Sequence, residues 1–243
     1  MKRISASFIS LVLFLMVTPS EGQDTIDIPL RAGAGISLRG PAMMAAGEYP
    51  MGFELNLSYD RDERITYLAD IGYSRFINER YNYHYRNSGI YIKAGADYNL
   101  LNPLQSQGRY YAGIGGRYGL ALFRDEAPFI RYDNYWGSHT SVAGESYRSG
   151  HFIEITPGIR AALTDNLFIG WNVNLSLLLY TSGRRDLRPV DIPGFGNGSG
   201  AVVTGINYFI SIRIPYRTET VIYKRRVREI VDEDDTGTPV QRF

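Results

Sequence analysis

The sequence predicts an all-β chain, an eight-stranded antiparallel up-and-down barrel that crosses a membrane with its strands. Three observations carry this prediction. Apolar and polar residues alternate with period two in eight separate segments of about nine to twelve residues. That length matches the ~9–11 residues of a tilted spanning strand, whereas soluble strands cluster near ~5–6. The connections alternate between long and short, and the polar face is built of glycine, serine and asparagine rather than the lysine and glutamate of a wetted sheet.

The first segment sets Leu30, Ala32, Ala34, Ile36 and Leu38 against Arg31, Gly33, Gly35 and Ser37. The second sets Met51, Phe53, Leu55, Leu57 and Tyr59 against Gly52, Glu54, Asn56 and Ser58. In the third, Ile65, Tyr67, Ala69, Ile71 and Tyr73 oppose Thr66, Leu68, Asp70, Gly72 and Ser74; in the fourth, Ile90, Ile92, Ala94, Ala96 and Tyr98 oppose Tyr91, Lys93, Gly95, Asp97 and Asn99. The fifth opposes Tyr110, Ala112, Ile114, Tyr118, Leu120 and Leu122 to Arg109, Tyr111, Gly113, Gly115, Arg117 and Gly119. The sixth opposes Ile153, Ile155, Ile159, Ala161 and Leu163 to Glu154, Thr156, Gly158 and Arg160, with Pro157 removing a ladder donor mid-strand. The seventh runs from Leu167 through Trp171 to Leu179 against Gly170, Asn172, Asn174 and Ser176, and the eighth from Val202 to Ile214 against Gly205, Asn207, Ser211 and Arg213.

Links 39–50, 75–89, 123–150 and 181–201 are long, and links 60–64, 101–108 and 164–166 are short. Short turns on the periplasmic side and longer loops outside are the topology of outer-membrane barrels, and an even strand number leaves both termini on the short-turn side. A soluble lipocalin-like barrel also alternates, but it would carry a charged exterior. Small residues instead suit the narrow interior of an eight-stranded barrel, which side chains just fill. The larger polar residues on that face carry both signs: Arg31, Lys93, Arg109, Arg117, Arg160 and Arg213 with Glu54, Asp70, Asp97 and Glu154. In a tight lumen these are expected to pair, because an unpaired buried charge is costly. Tyr59, Tyr98, Tyr110 and Tyr216 fall on the apolar face near the short-turn ends, as an interfacial aromatic girdle would.

Composition agrees. The 243 residues include no cysteine, so there is no disulfide framework, thiolate metal site or cysteine nucleophile. A net charge of +1 gives no basic surface for nucleic acid. Met1-Lys2-Arg3 followed by the apolar run at 8–17 and by Ser20-Glu21-Gly22 reads as a secretory signal cleaved near Gly22. The expected organisation is a leader at 1–22, a short periplasmic segment at 23–28, the barrel at 29–216 and a charged, disordered periplasmic tail at 217–243. In that tail the bases come first and the acids second.

The segments 93–99 (KAGADYN), 191–196 (DIPGFG) and 205–215 (GINYFISIRIP) resemble those of an uncharacterised family, a domain of unknown function, of small outer-membrane β-barrel proteins from gram-negative bacteria. The resemblance implies that fold and location and assigns no activity. The last strand is also similar to the terminal signal that barrel-assembly machinery reads.

Chemistry is sparsely marked. His84 and His139 lie in long links, with Ser138, Ser141 and Glu145 close to His139 in sequence, so a Ser–His–acid arrangement is conceivable there. Neither GxSxG nor HExxH occurs, and no metal-ligand cluster is visible. His151, at a strand start, reads as an interface residue, and Asn197-Gly198-Ser199 as a turn. Tyr135 and Trp136, together with Arg184, Arg185 and Arg188, put aromatics and cations on the outer links, where arginines could pair with lipopolysaccharide phosphates. The expected role is non-enzymatic: a structural or surface-binding barrel without a permanent pore or cofactor. Its expected partners are membrane lipids, lipopolysaccharide, the assembly machinery and a periplasmic partner for the tail. The alternatives are a membrane-embedded lipid-modifying hydrolase and a small-solute channel.

Overall fold

The computed structural model describes residues 24–183, 188–223, 232–233 and 239–240. The chain divides into two units, Asp27–Thr220 and the pair of terminal stretches Met1–Ile26 and Val221–Phe243. In the terminal unit, β11 (Asp232–Glu233) pairs antiparallel with β12 (Pro239–Val240). The 1–22 leader lies outside the described residues.

The strands expected from alternation are present and longer than expected. They are β1 (Asp24–Ser37), β2 (Met51–Asp60), β3 (Ile65–Arg80), β4 (Tyr83–Asn99), β5 (Tyr110–Asn134), β6 (Gly137–Ala162), β7 (Leu167–Thr181) and β10 (Val202–Tyr223). They close into a barrel in the order β1-β10-β7-β6-β5-β4-β3-β2. Closure leaves no free sheet edge around the ring. Two short helices, α1 (Arg39–Ala46) and α2 (Pro103–Ser106), lie in connections, and a small hairpin of β8 (Asp191–Ile192) and β9 (Gly196–Asn197) lies between β7 and β10. No helix among the described residues is long and apolar enough to cross a membrane.

Two of the long links are corrected by the structure. Residues 75–89 and 123–150 are continuations of the strands rather than loops. The β3–β4 ladder persists to Arg80↔Tyr83, and β5–β6 to Asn134↔Gly137, so each turn has only two residues. β5 and β6 reach 25 and 26 residues. This defines two ends of the barrel, a hairpin end with these projections and a turn end opposite it.

The faces divide as the alternation requires. Phe53, Leu55, Leu57, Ile71, Ile90, Ile92, Ile153, Ile155, Leu175, Ile206 and Ile212 are all exposed on the outside. Ile28 and Leu30 depart from this and are buried near the start of β1. Inside, the filling is not only small residues. Tyr91, Tyr111, Phe152 and Phe168 point inward and are buried. Glycines make room for them: a Cβ on Gly119 would collide with the Phe152 ring.

Candidate functional site

The middle of the lumen holds a layered charge network. Each member sits on an inward position of its strand, so the ladder fixes which side chains can meet. Lys93 Nζ lies 3.2 Å from Glu54 and 3.4 Å from Glu154, and all three are buried. Tyr91 donates its hydroxyl to Glu54 at 3.0 Å, and Ser176 donates to Glu154 at 3.2 Å. Beside this pair, Arg117 lies 2.6 Å from Asp70, 3.8 Å from Asp97 and 4.0 Å from Glu154. Asn56 donates to Asp70 at 2.8 Å. Hydrogen bonds of this kind are what make buried charges tolerable.

Toward the turn end the network changes partners. Arg213 pairs with Asp60 at 2.6 Å, and the Arg31 backbone N–H donates to the same carboxylate at 2.9 Å. The guanidinium groups of Arg31 and Arg213 lie 5.3 and 5.5 Å from the Phe168 ring centre, and Arg160 lies 5.0 Å from that of Tyr111. Rings here take a share of the cation that a carboxylate would otherwise take. Arg31 also donates to the carbonyl of Gly108, just after α2, whose first turn is closed by a capping box between Asn102 and Gln105. One expected member is misplaced. Arg109 stands at the strand end, and its side chain turns outward to Asp165 in the next turn, half-exposed.

At the hairpin end the lumen is stoppered by its own connection. The β8–β9 hairpin folds inward and buries Ile192 and Phe195 against Tyr91, Ala121, Phe123 and Phe152. The Phe152 and Phe195 ring centres are 5.5 Å apart. Gly194, at φ +76°, turns the plug where a Cβ would strike Tyr91. Asn87 donates to the Asp191 carbonyl, while burial pushes the Asp191 carboxyl up to about 7 against the pull of Arg39. Just beyond, Arg148 pairs with Asp125 at 2.8 Å, both buried. The cavities left along the lumen are small: about 100 Å³ beneath the plug, about 40 Å³ beside Arg117 and about 30 Å³ near Arg31.

Asp60, Asp125, Arg148 and Asp191 were not among the expected lumen charges. All four fall in segments that the alternation assigns to links.

The expected nucleophile and base do not converge. Ser138 and His139 are neighbours on β6, so their side chains leave opposite faces of the strand. His84, on β4, packs its ring 5.2 Å from that of Phe129. Among the described residues neither histidine hydrogen-bonds to Ser138 or to an acid. Ser138 and Arg131 donate instead to Asp133, holding its carboxyl below the usual range. No cluster among the described residues could hold a metal ion. His151 faces outward between Tyr118, whose hydroxyl is 2.6 Å from Nδ1, and Tyr180. Asn197 Oδ1 accepts from the backbone and hydroxyl of Ser199, a turn as expected.

Tyr135 and Trp136 form the tip of the β5–β6 hairpin, 93% and 90% exposed. Arg188 is exposed; Arg184 and Arg185 lie outside the described residues. Tyr59, Tyr98, Tyr110 and Tyr216 ring the outside of the turn end. Tyr59 stacks on Tyr216 at 5.0 Å, and Arg64 donates to the Tyr98 hydroxyl at 2.9 Å.

The model of a family described as a domain of unknown function, DUF6048, matches residues 1–219. No curated protein matches the chain. Among solved structures, Neisserial surface protein A is similar over 80% of this chain and 100% of its own, at 14% identity and a TM-score of 0.32. The N-terminal β-barrel domain of Pseudomonas aeruginosa OprF is similar over 79% and 98%, at 9% identity and a TM-score of 0.28.

Proposed function

The chain belongs to the DUF6048 family, and we propose that it is a small outer-membrane barrel of a gram-negative bacterium, structural or surface-binding, with no permanent pore and no enzymatic activity. One observation carries this reading: a closed ring of strands presents a continuous apolar exterior around a lumen filled by ion pairs and aromatic rings. An apolar exterior over a charged interior is the inverse of a soluble barrel and suits hydrocarbon outside. In this reading the turn end faces the periplasm with both termini, and the hairpin end projects into the medium. The 1–22 segment serves as the export signal and the tail as a periplasmic extension. The exposed Tyr135 and Trp136 make the hairpin tip the natural contact point for an external partner.

The test is fractionation of the expressed chain, followed by gel migration with and without boiling. The expected result is recovery in the outer-membrane fraction with a faster, unboiled form that heat converts to a slower one. A chain recovered in the soluble fraction without such a shift contradicts the proposal.

A further inference from the structure

The outer surface carries charge at each end of the apolar belt, and the hairpin end differs in one arginine, Arg75, that pairs with no acid among the described residues. At the turn end each arginine faces its own acid: Arg61 lies 4.0 Å from Asp62, Arg64 3.5 Å from Glu63, and Arg109 pairs with Asp165. At the hairpin end the ladder places Arg75 opposite Ser88 and Ser88 opposite Arg124, all in one outward row. Arg86 stands two residues above Ser88 on the same face. Strands ~4.8 Å apart set the Cα atoms of Arg75 and Arg124 roughly 10 Å from each other, with the Ser88 hydroxyl between. Arg86 and Arg124 are each held at 3.3 Å by one exposed acid, Glu79 and Glu145, and Glu126 lies opposite Arg86. Among the described residues Arg75 has no ion pair. Arg75, Arg86, Ser88 and Arg124 line an open depression of about 300 Å³ together with Asp125, Glu126 and Glu145.

The row directly beneath is apolar. Tyr73, Ile90 and Leu122 stand side by side, and Ile71, Ile92 and Leu120 follow one row further down. Tyr73, Ile90 and Leu122 are all exposed. From this juxtaposition we infer that Arg75, Ser88 and Arg124, with Arg86 above them, form a binding site for the phosphate of an anionic membrane lipid. The acyl chains of that lipid would run down the Tyr73–Ile90–Leu122 face. Guanidinium forks and a hydroxyl supply charge-assisted donors to phosphate oxygens. The apolar ladder selects a lipid phosphate over a free anion. The inference rests on the membrane-barrel reading and adds a ligand class to it.

The experiment titrates the detergent-solubilised full chain with phosphatidylglycerol, phosphatidylcholine and inorganic phosphate, counting bound molecules by native mass spectrometry. The expected result is one retained phosphatidylglycerol in preference to phosphatidylcholine. The R75Q/R124Q variant weakens that binding about tenfold, as loss of charge-assisted bonds to phosphate implies. The R61Q/R64Q variant, at the other end, leaves it unchanged. Equal binding by wild type and R75Q/R124Q overturns the site, as does an equal loss in R61Q/R64Q. Inorganic phosphate bound as tightly as the lipid overturns the lipid as its occupant. Insertion into phosphatidylcholine vesicles is measured in parallel on every variant. A chain that inserts but shows no arginine-dependent lipid binding contradicts this site alone, whereas one that never inserts contradicts the membrane barrel itself.

Discussion

In the middle of the barrel, Lys93 and Arg117 are buried among Glu54, Asp70, Asp97 and Glu154; a few residues toward the hairpin end, Ile192 and Phe195 are buried among Tyr91, Phe123 and Phe152. Both regions fill the same narrow space with opposite chemistry. The charged residues are borne by strands, where register holds each guanidinium, ammonium and carboxylate at a fixed height. Directional ion pairs are affordable only with such geometry. The plug is borne by a connection with only two short paired strands of its own, and apolar packing of Ile192 and Phe195 holds it, with one hydrogen bond from Asn87 to the Asp191 carbonyl. In this barrel the buried ion pairs follow the ladder, and the apolar stopper follows the loop.

The largest expected effect comes from breaking the ladder-borne side. Lys93→Met leaves Glu54 and Glu154 buried without their shared cation and should cost about 3–5 kcal/mol, the usual penalty for stripping one partner from a buried pair. Urea unfolding in detergent, followed by the heat-sensitive gel shift, reads this directly. Adding Glu54→Gln should restore part of the loss; no recovery would mean that the ammonium acts through packing alone.

On the plug side, Phe195→Ala should cost about 3 kcal/mol, at the low end for deleting a buried ring, because a loop can partly collapse. The cost should appear locally. Amide-exchange protection falls across 191–197, while β3 and β4 keep theirs. Uniform loss over the whole barrel would show that plug and ladder are one cooperative unit.

A smaller effect is expected from pH. The Asp191 carboxyl titrates near 7 in the folded plug, whereas a free aspartate titrates near ~3.9. Its folded value is raised, so the protonated form favours the closed plug. The plug is held best below pH ~4, loosens as pH rises toward 7 and is loosest above that. Protection factors at 191–197, corrected for intrinsic exchange, should be higher at pH 5 than at pH 8. Asp191→Asn should remove the difference; an unchanged slope would assign it to another group.

The smallest effect concerns the outside. Tyr59 stacks on Tyr216 at 5.0 Å across the seam between β1 and its neighbours. Tyr59→Leu keeps the apolar surface but loses the ring pair, and should cost about 1 kcal/mol in the same urea assay. A loss matching that of Lys93→Met would mean that the girdle, rather than the lumen, holds the barrel.

The sequence announced the barrel where burial is one-sided. Between Met51 and Tyr59, or Leu167 and Leu179, one face meets the exterior and the other the lumen, and the residues alternate accordingly. Beyond Phe123 the strand continues but the pattern stops, because polar residues such as Arg124, Glu126 and Glu145 occupy positions that no longer face an apolar medium. Hydrogen-bonded ladders leave no hydropathy trace there, so alternation marks neither the strand nor the buried Asp125–Arg148 pair within it. The pairing of Lys93 and Arg117 with acids was legible because alternation alone puts them on one face. The same rule misplaced Arg109, whose strand-end position frees it to turn toward Asp165. The plug was least legible. Its Ile-Pro-Gly-Phe run is apolar inside a link, which is a signal, but periodicity cannot say that a connection folds back into the lumen.

A filled lumen does not conduct, and planar-bilayer recording of the reconstituted full chain measures this. The expected result is insertion with no steady conductance above the bare membrane, and no persistent opening at moderate voltage. A stable, ohmic open state in the wild-type chain would contradict it, because a continuous water path cannot coexist with the Lys93–Glu154 layer and the Ile192–Phe195 plug as the structure places them.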